Sequence, residues 1–471
     1  MHARASKRAR PYLNGCSTSR HAGPSCSRSP TQICADPLDG RAAGVSRGVD
    51  SGPHEAPVNP SSDTRPRSAQ RLAAGTLLTF SSSFGQTFFL SLFTVEWCAR
   101  FALTSGELGL VYGGATLVAG LALPIVGPVV DVRPARGLAL AAALALAAGF
   151  VALALAPNVV VLALAFLVVR FAGQGFLTHL AGTWVARTFV VGRGRALGVT
   201  ALGYPLGEAV LPAIFVALLA GVGLTRTLLV VAALLACGFA PLTHRLLDDD
   251  RALTDETAAA VKGPRPPRFF VLRQGAFWLV LPFWVSTAGL LTAIFFHQRA
   301  IGRALSLDEG ALATAFVAFA VGRVLVSFTS GPVIDRTGAR RLFLFDLWPL
   351  LVGLALLVVA LSSTDALDAI SPAIVPFLYG AALFCAGASV GFSGNVKTAF
   401  LAETFGTAHL GAAKSSIATF TVLSTALAPP LTGALLDAGL SERDVVVALL
   451  AFGLVSTAFA RVGLARLRAL D

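Results

Sequence analysis

The sequence predicts an all-α polytopic membrane protein with twelve transmembrane helices arranged as two six-helix halves. Three observations support this fold class: the composition, the recurrence of long apolar stretches, and a repeated loop sequence. Of the 471 residues, 55% are hydrophobic and only 13% are charged, whereas a soluble domain usually carries about a quarter charged residues. A soluble protein of this composition would expose large apolar patches, so we expect the chain to lie in a lipid bilayer.

The first 70 residues differ in composition from the rest of the chain. They are rich in Arg, Ser, Pro and Gly and show no apolar periodicity, so they are predicted to form a disordered tail. They lack the apolar stretch of a secretory signal. Up to about Ser29 their composition resembles an organellar transit peptide, although an over-extended gene start is the simpler interpretation.

From Arg71 onward, apolar stretches of about 20 residues recur, long enough to cross the hydrocarbon core. Helices are expected because each backbone amide in lipid must be satisfied within its own segment, and no alternating barrel pattern is present. The predicted helices cover residues 74–95, 105–127, 138–156, 159–185, 196–219, 225–244, 275–298, 309–331, 342–362, 372–397, 410–434 and 444–465.

The distribution of Lys and Arg predicts the orientation of the chain. The net charge of +12 could suggest a nucleic-acid partner, but the basic residues flank the apolar stretches or lie in the tail, so no nucleic acid is expected. With the N-terminus inside, the outer loops hold only Arg100, Arg226, Arg299, Arg303 and Arg443. The positive-inside rule then places both termini in the cytoplasm, and a bacterial cell membrane is the expected location.

A repeated loop sequence indicates two related halves. Gly127-Pro128-Val129-Val130-Asp131 follows the second predicted helix, and Gly331-Pro332-Val333-Ile334-Asp335 follows the eighth, 204 positions later. Such an internal repeat is typical of duplicated transporters. We therefore predict an N-terminal half over residues 71–245, a cytoplasmic linker over 246–273 and a C-terminal half over 274–471.

These motifs resemble those of the major facilitator superfamily, whose loops between helices 2 and 3 and between helices 8 and 9 read approximately G-x-x-x-D-R-x-G-R-R. The second copy is nearly complete and consists of Gly331, Asp335, Arg336, Gly338, Arg340 and Arg341. The first copy departs from the pattern at Val132 and Pro134, and its candidate members are Gly127, Asp131, Arg133 and Arg136. The resemblance covers about residues 72–468.

The resemblance implies a latch on the cytoplasmic side. In the family the loop carboxylate interacts with a neighbouring helix end and with basic residues, so Asp131 and Asp335 are the expected latch residues. Glu403 is expected at the same cytoplasmic rim. Physical chemistry agrees, since a carboxylate is favoured at a helix N-terminus. The alternative is that these loops merely carry charge that sets the topology.

Ionisable residues within the spans are candidate sites, because each is costly in lipid. Arg170 and Glu208 lie near mid-depth in the fourth and fifth helices, so the two are expected to meet. Arg170 could bind an anionic substrate and Glu208 could carry a proton. Alternatively, they form a structural ion pair. Arg323 in the eighth helix resembles the anion-binding residue of monocarboxylate-type members, although Phe319 stands where those members carry Asp. It could instead pair with a carbonyl group or with the latch.

Further polar candidates lie along the spans. Gln86 makes the middle of the first helix polar, and Asn395 lies near the inner end of the tenth. His297 closes the seventh helix, where it could sense pH or simply be hydrogen-bonded at the interface. Lys397 is expected only to snorkel to the lipid headgroups.

The leading hypothesis for function is proton-coupled secondary transport of a small organic anion, such as a monocarboxylate, by alternating access. It rests on cationic mid-span residues and few carboxylates. A drug or metabolite efflux antiporter and a transport-inactive membrane sensor are the alternatives. The sequence has no nucleotide-binding loop, nucleophile elbow or metal-ligand cluster, so no enzyme activity, cofactor or metal is expected. The expected partners are a small solute, protons and lipid, and the protein is expected to be a monomer.

Overall fold

The computed structural model describes residues 64–189, 192–247, 273, 275–365, 374–405 and 410–468. All of these belong to one unit of the chain, residues 61–471. The predicted disordered tail over residues 1–70 and the predicted linker over 246–273 lie mostly outside the described residues. Residues 64–70 are described and belong to the helix Thr64–Ser82, so the predicted tail extended too far. Within the described ranges all regular secondary structure is helical, as predicted.

The first six helices have these bounds. Helix α1 consists of Thr64–Ser82, Thr87–Leu90 and Thr94–Phe101, followed by α2 (Ser105–Val126) and α3 (Ala135–Leu155). Helix α4 consists of Val159–Val169 and Thr178–Thr188, joined by the π-helical segment Arg170–Leu177. Helix α5 consists of Arg193–Ala201 and the first part of Gly203–Ala233. The chain turns at Gly223, where φ is 76°, and α6 continues through Ala240–Leu246.

The second six helices follow the same scheme. They are α7 (Gly275–Phe296), α8 (Glu309–Thr337), α9 (Trp348–Asp365), α10 (Ile374–Phe405), α11 (Leu410–Asp437) and α12 (Glu442–Arg468). Two short helices accompany them, Gln298–Ala304 after α7 and Ala339–Leu342 before α9.

The helices account for the twelve predicted spans. Ten described segments are long and apolar enough to cross a membrane. One of them, Arg193–Leu246, has 54 residues and turns at Gly223, so it supplies two spans. Helix α1 is the twelfth span, although its breaks keep each piece short. The prediction of one continuous helix over 74–95 was wrong in two respects. The helix begins earlier, at Thr64, because its first turns are basic and hydropathy does not register them. It is also broken, and hydropathy carries no information about a break in the backbone.

Local sequence explains several helix starts. Thr104 and Glu107 form a reciprocal capping box at the start of α2, which satisfies two otherwise free amide groups. The Asn158 side chain accepts from the amide of Val161 at 3.0 Å, and the Asp308 side chain accepts from Ala311 at 2.7 Å. Because each cap starts a new helix within a few residues, the loops between neighbouring spans can be very short.

The two halves meet closely along α2 and α11. A methyl group added at Gly109 would lie 2.8 Å from the Pro429 backbone, and one added at Gly113 would overlap the carbonyl oxygen of Ala426. A methyl group at Gly433 would lie 2.6 Å from the Cα atom of Gly106. Small residues are what allow two membrane helices to approach this closely. We call the side of the membrane with the start of α1 the terminal face, and the side with the α1–α2 turn the distal face.

Polar contacts also join the halves near the distal face. Gln298 donates to the carbonyl of Phe88 at 3.2 Å and to the hydroxyl of Ser91 at 2.7 Å. The amide of Gly106 donates to Asp437 at 2.8 Å. Arg299 pairs with Glu96 of the other half and with Glu309 of its own half, each at 2.6 Å. Together with the α2–α11 packing, these contacts close the distal side of the molecule.

Candidate substrate cavity

A cavity of about 490 Å³ lies at mid-depth between the halves. It is lined by α1, α4 and α5 from the first half and by α7, α8, α10 and α11 from the second. Its aromatic walls are Phe88, Trp284, Phe295 and Phe319. Its main polar side chains are Gln86, Thr87, Gln174, Glu208, Thr287, Thr292, Arg323, Ser393 and Lys397. Most of its lining side chains are polar, whereas the usual small-molecule pocket is mostly apolar with a few placed polar groups.

The break in α1 shapes one wall of this cavity. Ser83–Gly85 forms a single 3₁₀ turn, and Gln86 after it has an extended backbone with ψ of 158°. A methyl group at Gly85 would lie 2.6 Å from the carbonyl oxygen of Val169 and 2.7 Å from the amide of Gln174. The π-helical segment of α4 therefore packs directly on the break. Irregular backbone at membrane depth is tolerated where it is buried in protein or lines a cavity.

Arg170 holds this arrangement and does not line the cavity. Its Nε donates to the Thr116 hydroxyl at 3.0 Å and its Nη1 to the carbonyl of Gly85 at the break, at 2.9 Å. Its guanidinium also lies 5.0 Å from the centre of the Tyr112 ring. The predicted pairing of Arg170 with Glu208 is therefore wrong, because counting residues gives the depth of a side chain but not the helix face on which it lies.

Glu208 pairs instead with Arg323, across the two halves. The Glu208 side chain is only 4% exposed and that of Arg323 is 21% exposed. The second carboxylate oxygen, Oε2, is buried without a hydrogen-bond partner. The Arg323 guanidinium also lies 5.4 Å from the centre of the Tyr204 ring. Arg323 thus lines the cavity, and the alternative that it pairs with a carbonyl group or with the latch was wrong.

A second ion pair lies wholly within the C-terminal half, and sequence reasoning missed it. Asp346 is completely buried, and its Oδ2 lies 3.0 Å from the Lys397 ammonium. Lys397 also donates to the carbonyl of Trp284 at 2.8 Å. The ammonium therefore faces protein and cavity, and the predicted snorkelling to headgroups was wrong. The available sequence signal was an acid inside the otherwise apolar stretch that opens the ninth span.

Two cationic side chains, Arg323 and Lys397, reach the cavity wall. Each is paired with a carboxylate, Arg323 with Glu208 and Lys397 with Asp346. The third buried cation nearby, Arg170, is held by a hydroxyl and a carbonyl group and does not line the cavity. A carboxylate that entered the cavity would therefore meet hydrogen-bond donors on Arg323 and Lys397.

Two other predicted residues lie away from this cavity. The ring of His297 is hydrogen-bonded at 3.2 Å to the carbonyl of Pro429, and it lines a second cavity of about 460 Å³ near the distal face. Asn395 donates to the carbonyl of Ser327 at 2.8 Å and to the hydroxyl of Ser330 at 2.9 Å. It thereby ties α10 to α8.

The second loop motif places a carboxylate at a helix end, but not the predicted one. Glu403 on α10 accepts the amides of Ala339 at 2.8 Å and Arg340 at 3.0 Å. Asp335 is exposed, so in this conformation Glu403 occupies the helix-end position expected of Asp335. The chain turns there at Gly338 with φ of 82°, a conformation that favours glycine. The remaining residues of the second loop motif, Gly331, Arg336 and Arg341, lie at the same terminal face.

The first loop motif has a different local structure. Gly127–Asp131 forms a 3₁₀ turn after α2. Arg133 is exposed and Arg136 is half-buried, with the Arg136 Nε atom buried without a hydrogen-bond partner. The side chain of Asp131 lies outside the described residues, and its role in a latch stays a prediction.

Comparison with known proteins shows which family the chain resembles. The model of the Major Facilitator Superfamily matches residues 75–299, and the solved structures reported below share its fold. The chain therefore resembles the major facilitator superfamily in sequence over its first half and shares the superfamily's fold. The superfamily fold accounts for the two six-helix halves and the central cavity, and it makes the chain an integral membrane protein with a transporter architecture.

Solved structures of this superfamily resemble the chain over most of its length. One is a bacterial homologue of the human lysosomal transporter Spinster, in an inward-facing and unoccupied conformation, with 15% identity and a TM-score of 0.64 over 86% of this chain and 98% of that one. Another is a mutant form of the nucleoside transporter NupG, with 14% identity and a TM-score of 0.66 over 85% of this chain and 99% of that one. A comparison with curated proteins finds no significant sequence match. At these identities the structures establish the fold.

Proposed function

We propose that this protein transports a small organic anion, such as a monocarboxylate, together with protons by alternating access. The observation that carries the proposal is the central cavity, whose walls present the guanidinium of Arg323 and the ammonium of Lys397. These two cationic groups can donate to an anion, and the aromatic walls suit an organic one. Proton coupling would let the anion cross without a net charge.

The proposed orientation places the terminal face in the cytoplasm of a bacterial cell, as the Lys and Arg distribution indicates. With the distal face closed, this conformation is proposed to be inward-facing, the state recorded for the solved Spinster homologue. In the opposite state the α2–α11 contact must open and the terminal face must close. Asp131 and Asp335 are the proposed latch residues of that closed state, and the protein is proposed to act as a monomer.

Transport by purified protein in liposomes tests the proposal. Labelled monocarboxylates are supplied outside, with the external pH below the internal pH, and accumulation is measured with and without a protonophore. Accumulation that requires the proton gradient supports the proposal, and Arg323→Gln should abolish it. His297→Gln, which lies outside the cavity, is the matched control.

The other outcomes each contradict the proposal. Extrusion of hydrophobic dyes against a gradient, without flux of organic acids, would indicate efflux. Saturable binding with no flux in either direction would indicate a sensor. Proton-independent uptake of uncharged solutes would remove the role of the cationic walls.

A further inference from the structure

We propose that Asp346 and Lys397 form the coupling site, in which protonation of Asp346 releases the Lys397 ammonium to bind the carboxylate of the substrate. This inference rests on the proposed function and assigns its coupling residues. It differs from the sequence-based hypothesis, in which Glu208 carries the proton.

The geometry around Asp346 leaves one oxygen for a proton. Its Oδ2 lies 3.0 Å from Lys397 Nζ and also accepts from the hydroxyls of Thr287 at 3.3 Å and Ser393 at 3.4 Å. Its Oδ1 is buried without a hydrogen-bond partner. Buried polar atoms are normally satisfied, and an exception in a native structure calls for an explanation. A proton on Oδ1 would neutralise the carboxylate without disturbing the hydroxyls around Oδ2.

The elements packed around Asp346 supply a single ionic partner among the described residues. Helix α7 presents the Thr287 hydroxyl and the carbonyl of Trp284. Helix α10 presents the Ser389 hydroxyl, which donates to the Asp346 main chain at 2.8 Å, and Lys397. Helix α12 presents Gly453, which packs on Leu351 of α9 and on Leu347 just before it. The protonation state of Asp346 is therefore felt most directly by Lys397.

Lys397 can act on the cavity because it lines it. Its side chain is 15% exposed and shares the wall with the hydroxyls of Thr398 and Thr421. A lysine carries its charge on a flexible four-carbon stem, so the ammonium can turn from Asp346 to an occupant of the cavity. Glu208 is placed differently, because Arg323 holds it across the two halves, and its protonation would loosen their contact.

Charge balance then couples the two ligands. The empty pair of ionised Asp346 and Lys397 is neutral, and the pair with one proton and one monovalent anion is neutral again. With the proton alone the site carries one positive charge, and with the anion alone it carries one negative charge. A net charge in the membrane interior is disfavoured, so the empty and doubly loaded carriers reorient most easily. The result is electroneutral transport of one proton with each monovalent anion.

The first test measures protons and flux separately. In weakly buffered detergent solution, a pH-indicator dye should show about one proton taken up for each organic acid bound. Asp346→Asn should abolish this uptake. In liposomes it should keep exchange of labelled for unlabelled substrate at a rate independent of pH, while losing proton-driven accumulation. Asp444→Asn removes an exposed carboxylate near the distal face and is the matched control.

The outcomes separate the two proposals. If the unmodified protein exchanges no organic acid, the proposed function fails. If exchange is normal and Asp346→Asn still accumulates substrate with the proton gradient, only the coupling assignment fails. Loss of proton uptake in Glu208→Gln, with uptake retained in Asp346→Asn, would move the role to Glu208. If Asp346→Asn does not fold, the same proton-uptake measurement is made on Lys397→Gln. Substrate binding that still takes up a proton in this variant, which lacks the ammonium, would overturn the assignment, and its loss would support it.

Discussion

The cross-half ion pair of Glu208 and Arg323 predicts an asymmetric response to substitution. Arg323→Met leaves a carboxylate that is 4% exposed with neither oxygen paired, and breaking a buried pair from one side costs about 3–5 kcal/mol. Glu208→Gln leaves a guanidinium that is 21% exposed, still faces the cavity and still lies over the Tyr204 ring. The lost charged hydrogen bond should then cost only about 1.5–3 kcal/mol.

The double variant sharpens this prediction. In Arg323→Met with Glu208→Gln no unpaired buried charge remains, so the cost should be smaller than that of Arg323→Met alone. Denaturant unfolding of the purified protein in one detergent at neutral pH gives the three free energies, and a double-mutant cycle gives the coupling between the residues. Two results would refute this interpretation of the ion pair. One is an equal loss of unfolding free energy in the two single variants, and the other is a loss in the double variant that equals the sum of the single losses.

Three further substitutions follow from the structure. Gly113→Ala should destabilise the distal-closed state by about 1–3 kcal/mol through overpacking and so raise labelling of cysteines introduced at the distal face, whereas Gly114→Ala, which meets open space, should leave labelling unchanged. Arg170→Met should lower the unfolding free energy by on the order of 3 kcal/mol, because two hydrogen bonds to a charged donor are lost, and Arg170→Lys should recover only part of it. Glu403→Gln should lower the free energy of thermal unfolding by about 1 kcal/mol, because it weakens the carboxylate cap on the amides of Ala339 and Arg340. An equal decrease in Asp335→Asn would show that Glu403 is not the capping residue.

The spans, their number and the two-half repeat were predictable from the sequence because they depend on composition and period. A stretch of about 20 apolar residues must cross the bilayer as a helix whatever its neighbours are. The matched loops around Asp131 and Asp335 revealed the duplication in the same way. Local caps such as Thr104 with Glu107 also act within a few residues of chain, so the short connections needed no tertiary information.

The partners of the buried charges were decided only by the tertiary structure. Depth along a helix follows from residue counting, but the face on which a side chain lies depends on breaks such as Ser83–Gly85 and on the π-helical segment of α4, which shift the helical phase. Glu208 thus pairs with Arg323 from the other half, and Arg170 donates to the carbonyl group of Gly85, which is accessible because α1 is broken there. In the sequence Asp346 is a single acid in an apolar stretch, and nothing nearby indicates a site. It becomes a candidate site because Lys397, 51 positions away in sequence, lies 3.0 Å from it in the structure.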